Sequence, residues 1–232
     1  MGLDLHAFAN RDALMAAAAD GIEAALRAGL AARGHACAAL SGGATPAPAY
    51  ALLAARALDW PNVSFALVDE RWVALADPAS NEAMLRRALA PALAQGAQLA
   101  PLYDADAPSS AAAAARAEAR YRALRFDIAL MGMGADGHTA SWFAGARGLR
   151  EALDPANPAS VLALHAPRAP VSPDRLSLTV SALGRAGRIA LLIAGADKRA
   201  RLEAALHEAP DIAPVAALFN PPLPAPEILW AA

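Results

Sequence analysis

The side chains with the most chemistry in them lie close together, in Met131-Gly132-Met133-Gly134-Ala135-Asp136-Gly137-His138-Thr139-Ala140-Ser141. The apolar run just before, from Phe126 to Met131, suits a buried strand, and three glycines with one aspartate then end it abruptly. Glycine admits positive φ and lets other groups approach the backbone, so such a turn can present peptide N–H groups and an imidazole to a ligand. In a sheet of parallel strands, a strand end of this kind borders the active-site crevice.

Other segments can serve the same crevice. Ser41-Gly42-Gly43-Ala44-Thr45-Pro46 follows an apolar strand and opens a helix. Gly42 and Gly43 bare backbone amides, the helix N-terminus adds partial positive charge, and Ser41 and Thr45 bring hydroxyls; together these suit a phosphate. The spacing is neither that of a Walker A loop nor that of a Gly-x-Gly-x-x-Gly dinucleotide turn. Asp69-Glu70-Arg71 ends the next strand, where the planar guanidinium of Arg71 fits a phosphate or carboxylate and the acids can orient it or handle protons. Ser80 reads as a helix cap, which leaves Asn81 able to reach the crevice. Arg175 stands before Leu176-Ser177-Leu178-Thr179, and Lys198 follows Gly195-Ala196-Asp197 at a strand-to-helix turn. His6, His35, His165 and His207 lack a glycine-rich setting and read as surface or packing residues, as Trp72 and Trp142 read as packing residues.

To hold these groups together the chain must alternate strands with helices. Arg11–Arg33 carries Leu14, Ile22, Ala25, Leu26 and Leu30 at helical spacing, with Asn10 as N-cap and Gly34 as stop. Strands are expected at 36–40, 63–68, 126–131, 161–164, 176–180, 188–194 and 215–218. Helices are expected after Pro46 and at 81–89, 109–124 and 197–207. This alternation predicts an α/β fold, three layers αβα around a mainly parallel, doubly wound sheet, as a single domain over 1–232. Strands 36–40, 63–68, 126–131 and 188–194 should run parallel and bring Gly43, Arg71, His138 and Lys198 around one crevice. Pro170 and Pro173 make 171–180 an antiparallel or edge insertion, and 154–173 an excursion within the domain.

Composition sets limits. The chain has 232 residues, 57% of them hydrophobic, a formal net charge of −2 and one cysteine. Much of the apolar content is alanine, the best helix former, and no uninterrupted run of about 18 apolar residues suits a membrane span. One cysteine excludes an intramolecular disulfide and a cysteine metal cluster, and Cys37 reads as a small core residue. No histidine pair has ligand spacing with a carboxylate, so a catalytic metal is not expected. No basic block invites nucleic acid. The first residues lack a signal-peptide pattern, so a cytoplasmic protein, monomeric or weakly dimeric, is expected.

Taken in order, these segments resemble the 6-phosphogluconolactonase family. The matching pieces are 41–46, 69–73, 80–81, 132–141, 173–179 and 195–198, with the Gly-Asp-Gly-His-Thr-Ala-Ser stretch the specific one. Ala74, Ser172 and Trp142-Phe143-Ala144 depart from the usual pattern, which touches loop shape and no polar site group. The resemblance implies hydrolysis of the small-molecule phosphosugar lactone 6-phosphoglucono-1,5-lactone, without cofactor. The residues suit that task. An ester carbonyl needs an activated water and a stabilised oxyanion. Neutral His138 is then the general base and Asp136 its orienting partner. N–H groups of Gly43, Gly134 or Gly137, or a nearby cation, hold the oxyanion, and Ser41–Thr45, Arg71, Arg175 and Lys198 grip phosphate. Asp69 and Asn81 stand as further site residues. Ser141 is the competing nucleophile, weakened by having no adjacent base in sequence. The glucosamine-6-phosphate deaminase/isomerases share the Gly-Gly-x-Thr-Pro loop and the Gly-His turn, but usually carry an aromatic after Asp-Glu and an acid soon after the histidine; Arg71 and Trp142-Phe143-Ala144-Gly145 stand there instead. A non-catalytic sugar-phosphate sensor would need a DNA-binding domain ahead of the first helix and no use for His138.

Overall fold

Alanine-rich helices and short apolar strands follow one another along the chain, and the computed structural model, which describes residues 3–232, gives their bounds. In chain order come β1 (Leu5–Phe8), α1 (Arg11–Arg33), β2 (Ala36–Leu40), α2 (Ala47–Ala54), β3 (Val63–Leu67), β4 (Asp69–Arg71), α3 (Asn81–Ala88), α4 (Ala90–Ala94), β5 (Gln98–Ala100) and α5 (Ser110–Arg122). Then follow β6 (Ile128–Gly132), α6 (Leu149–Leu153), β7 (Val161–His165), β8 (Asp174–Leu178), α7 (Val180–Leu183), β9 (Ile189–Ala194), α8 (Ala196–Ala205) and β10 (Glu227–Ala231).

Local signals set the longest helix. Asn10 accepts from Ala13 N at 2.9 Å to start α1, and Gly34, at φ 74°, closes it by donating to Leu30 O at 2.8 Å. Its buried stripe runs through Leu14, Met15, Ala18, Ala19, Ile22, Ala25 and Leu26. No helix among the described residues is long and apolar enough to cross a membrane.

The main sheet has seven strands in the order β1-β10-β9-β6-β2-β3-β5, all paired in parallel and flanked by helices. β2, β3, β6 and β9 are the four strands expected to be parallel, and they are neighbours. From β2 the chain moves outward through β3 and β5, then returns to β6 and moves outward the other way through β9 and β10. The switch point therefore lies between β2 and β6, where Ser41 N donates to Leu130 O at 3.0 Å. A crevice forms outside the carboxyl ends of strands at such a point. The ends of β2 and β6 carry the 41–46 and 132–141 segments.

Several expectations need correction. The strand expected at 63–68 stops at Leu67; Asp69–Arg71 leaves the main sheet as β4 and joins a separate three-stranded antiparallel sheet, β4-β8-β7. The strands expected at 161–164 and 176–180 are β7 and β8 of that sheet, so the insertion is antiparallel but not an edge of the main sheet. Residues 215–218 are not a strand: Pro214–Phe219 is a 3-10 helix, begun by a proline whose fixed φ suits a helical turn. The last parallel strand is β10, which with β1 and β5 went unread because each is short and bounded by polar or proline residues.

Candidate active site

At the end of β2 the loop 41–46 is held from below, where Tyr50 Oη donates to Ser41 O at 2.8 Å. Gly43 takes φ 101°. Among the described residues, no protein acceptor meets the N–H groups of residues 42–45, so consecutive donors are left free just before α2. Adjacent free amides of this kind form an anion-binding concavity.

At the end of β6 the turn is tied to itself. Gly134 N donates to His138 O at 2.8 Å, Gly137 N to Gly134 O at 3.1 Å, and Thr139 Oγ1 to Gly132 O at 2.7 Å. The amides of Gly134 and Gly137 are thus committed, and of the expected oxyanion donors only that of Gly43 is free. Gly134 has another reason to be glycine: a Cβ there would fall 2.1 Å from His138 Nδ1. Gly137 takes φ 91° in the turn, and like Ser141 it does not line the crevice.

The imidazole that this turn presents is paired. Asp136 Oδ1 lies 2.5 Å from His138 Nδ1 and also accepts from His138 N at 3.1 Å. The His138 contact pulls the Asp136 carboxyl down to about 2, so it is an anion at neutral pH. On its other side His138 stacks on Phe143, with ring centroids 4.0 Å apart. The Arg175 guanidinium lies 5.4 Å from the centre of the same ring. Phe143, counted from sequence only as loop, therefore separates the imidazole from this cation.

The small antiparallel sheet supplies two of the three cations. Arg71 and Arg175 are direct cross-strand partners in β4 and β8, and both line the crevice. Like charges placed opposite each other repel, and Asp69 and Glu70 beside Arg175 offset part of that repulsion. Arg71 donates to Ala79 O. Arg175 is buried and donates to Ser172 O at 2.8 Å and to Pro170 O. Burial pushes its guanidinium down from the ordinary arginine value while Asp69 pulls it up, and an arginine stays charged. Lys198, opening α8, donates to Met133 O; burial lowers its pKa and Asp136 raises it.

Glu70, expected from sequence to orient Arg71 or handle protons, is fully buried and serves as an anchor. It accepts from Arg71 N, Asn81 N and Glu82 N, each at 2.8 Å, and from Ser80 Oγ at 3.0 Å. It therefore ties the start of α3 to β4. Burial pushes its carboxyl up, and those donors pull it back toward the charged form.

These elements enclose a crevice of about 260 Å³ lined by Ser41, Gly42, Gly43, Thr45, Asp69, Arg71, Asn81, Gly134, His138, Arg175 and Lys198, with Phe143 and Met133. Asp136 reaches it through His138. Ser141 has no exposed surface, and its Oγ donates to Asp69 Oδ2 at 2.5 Å, so the hydroxyl does have a carboxylate partner, though an inward one. Ser141→Ala is expected to lower kcat/KM by less than about tenfold, because the hydroxyl does not line the crevice and its bond to Asp69 bears mainly on stability. Steady-state kinetics checks this, and mass spectrometry should find no acyl adduct on Ser141.

The model of the glucosamine-6-phosphate isomerases/6-phosphogluconolactonase family matches residues 9–228. The chain belongs to this family. A 6-phosphogluconolactonase of Rhizobium meliloti (strain 1021) is 40% identical over 236 residues, with all of both chains covered. One from Caulobacter vibrioides is also 40% identical, over 99% of this chain and 97% of its own. The crystal structure of a 6-phosphogluconolactonase from Shewanella baltica OS155 superposes with a TM-score of 0.92 at 31% identity, covering 100% of this chain and 98% of the other. In this family member the crevice, the glycine turn and the paired arginines all sit at the β2–β6 switch point or on the small sheet beside it.

Proposed function

We propose that this chain is a 6-phosphogluconolactonase, one hydrolase domain that opens 6-phospho-D-glucono-1,5-lactone to 6-phospho-D-gluconate in the oxidative pentose phosphate pathway. The observation that carries the reading is one crevice bounded by an anion-holding surface and by the His138–Asp136 pair. With Nδ1 turned to the Asp136 anion, that nitrogen carries the proton and Nε2 keeps its lone pair for a water. The water gives its proton to Nε2 as its oxygen bonds to the lactone carbonyl carbon, and the carbonyl electrons move onto oxygen. Collapse of the tetrahedral intermediate breaks the bond to the ring oxygen, which takes the proton back from His138. The free amides at 42–45 and the cations Arg71, Arg175 and Lys198 serve the phosphate and the transient oxyanion, the two negative charges of the reaction. A doubly charged phosphosugar does not cross lipid, so the enzyme works in the cytoplasm, where such substrates are made and held.

The test is direct. Purified protein added to fresh lactone should release acid well above the spontaneous rate, and should leave glucosamine 6-phosphate unchanged. Hydrolysis no faster than background, or release of ammonia from glucosamine 6-phosphate, would overturn the reading.

A further inference from the structure

Asn81 is 2% exposed, yet its Oδ1 is one of two buried side-chain polar atoms among the described residues with no hydrogen-bond partner. The amide cannot be turned over to relieve this. Its Nδ2 faces two acceptors, Asp69 O at 2.9 Å and Asp69 Oδ1 at 3.2 Å, so the nitrogen must point there and the oxygen away. Asp69 is itself pinned by Ser141, and the Asn81 backbone N–H is pinned to Glu70 at 2.8 Å. Both ends of the residue are thus fixed, and Oδ1 has a set direction. Asn81 lines the crevice, and its Oδ1 packs beside Gly42, where a Cβ would come within 1.9 Å of it. Only glycine at 42 leaves room beside this oxygen.

A buried acceptor without a donor costs stability, and is kept where a ligand supplies the donor. An amide oxygen beside a carboxylate repels phosphate and carbonyl oxygens and accepts only N–H or O–H. On a phosphorylated aldonolactone the only such groups are the ring hydroxyls at C2, C3 and C4. We propose that Asn81 Oδ1 accepts a hydrogen bond from one of these hydroxyls, making Asn81, oriented by Asp69, a specificity residue that reads the sugar ring. This rests on the lactonase reading above.

The experiment compares the enzyme, Asn81→Leu and Asn81→Ala on the parent lactone and its 2-, 3- and 4-deoxy forms. The intrinsic reactivity of each lactone is the same for every enzyme, so ratios between enzymes cancel it. The unsubstituted enzyme should disfavour one deoxy lactone by about ten- to a hundredfold in kcat/KM, because a site built around a hydroxyl leaves its acceptor unpaired when the hydroxyl is missing. Both variants should lose that preference by slowing on the parent lactone and on the two deoxy forms that keep the hydroxyl, and not on the form that lacks it. The smaller Asn81→Ala change covers the case in which leucine does not fit, with circular dichroism as the check of folding. An enzyme indifferent to all three deletions, or variants that slow equally on every lactone, would overturn the proposal. An enzyme inert toward the parent lactone would end the functional reading and this one with it, whereas an active enzyme without hydroxyl preference ends this one alone.

Discussion

Replacing His138 by alanine or asparagine is expected to cut kcat by roughly 10²–10⁴, with KM changed far less. His138 shares the crevice with the anion-holding groups but does not carry them, so binding should survive where chemistry fails. The short contact to Asp136 fixes the ring, and stacking on Phe143 keeps it from swinging away. Asp136→Asn should also lower kcat, since an amide can donate to Nδ1 and so favour the wrong tautomer. Because Asp136 is held down to about 2, it stays anionic throughout the assay range. Initial rates with the spontaneous background subtracted are the measurement. Near-full activity in His138→Ala, or a covalent acyl group on Ser141, would replace the water mechanism with a nucleophilic one.

What could be read from the sequence was what neighbours in sequence decide. The Gly134–His138 turn, the Asn10 and Ser80 caps, the Gly34 stop and the four central parallel strands all depend on residues within a few positions of each other. Functions that depend on distant pairings were not legible. Arg71 and Arg175 meet only because β4 leaves the main sheet to pair with β8, and no local pattern in three polar residues announces that departure. The commitment of the Gly134 and Gly137 amides was hidden for a related reason: glycine signals a turn, but not which of its N–H groups the turn itself consumes. Glu70 looked like a charge at a strand end and is a buried anchor for α3, because its partners arrive from ten or more residues further on. The stretch 215–218 has the apolar content of a strand, and Pro214 tips it into a 3-10 helix instead.

Arg71→Ala should weaken productive binding of the phosphorylated lactone by about ten- to a hundredfold or more, at roughly 1.5–3 kcal/mol for each charged hydrogen bond lost. The cross-strand register gives this prediction a second half. Removing Arg71 relieves its repulsion of Arg175 but also loses its single bond to Ala79 O, so the net cost in stability of the phosphate-free protein should be small. Arg175 is a poorer probe, because its side chain also holds the carbonyls of Pro170 and Ser172. Thermal melts with and without inorganic phosphate or 6-phosphogluconate separate the two effects. The unsubstituted protein should be stabilised by either anion in proportion to the logarithm of its concentration above Kd, and Arg71→Ala should be stabilised much less. The same logic applies to the substrate: glucono-1,5-lactone without its phosphate forfeits every one of these contacts, and should be hydrolysed far less efficiently. Equal kcat/KM for the two lactones, or equal protection of the variant by phosphate, would show that the arginine pair serves some other charge.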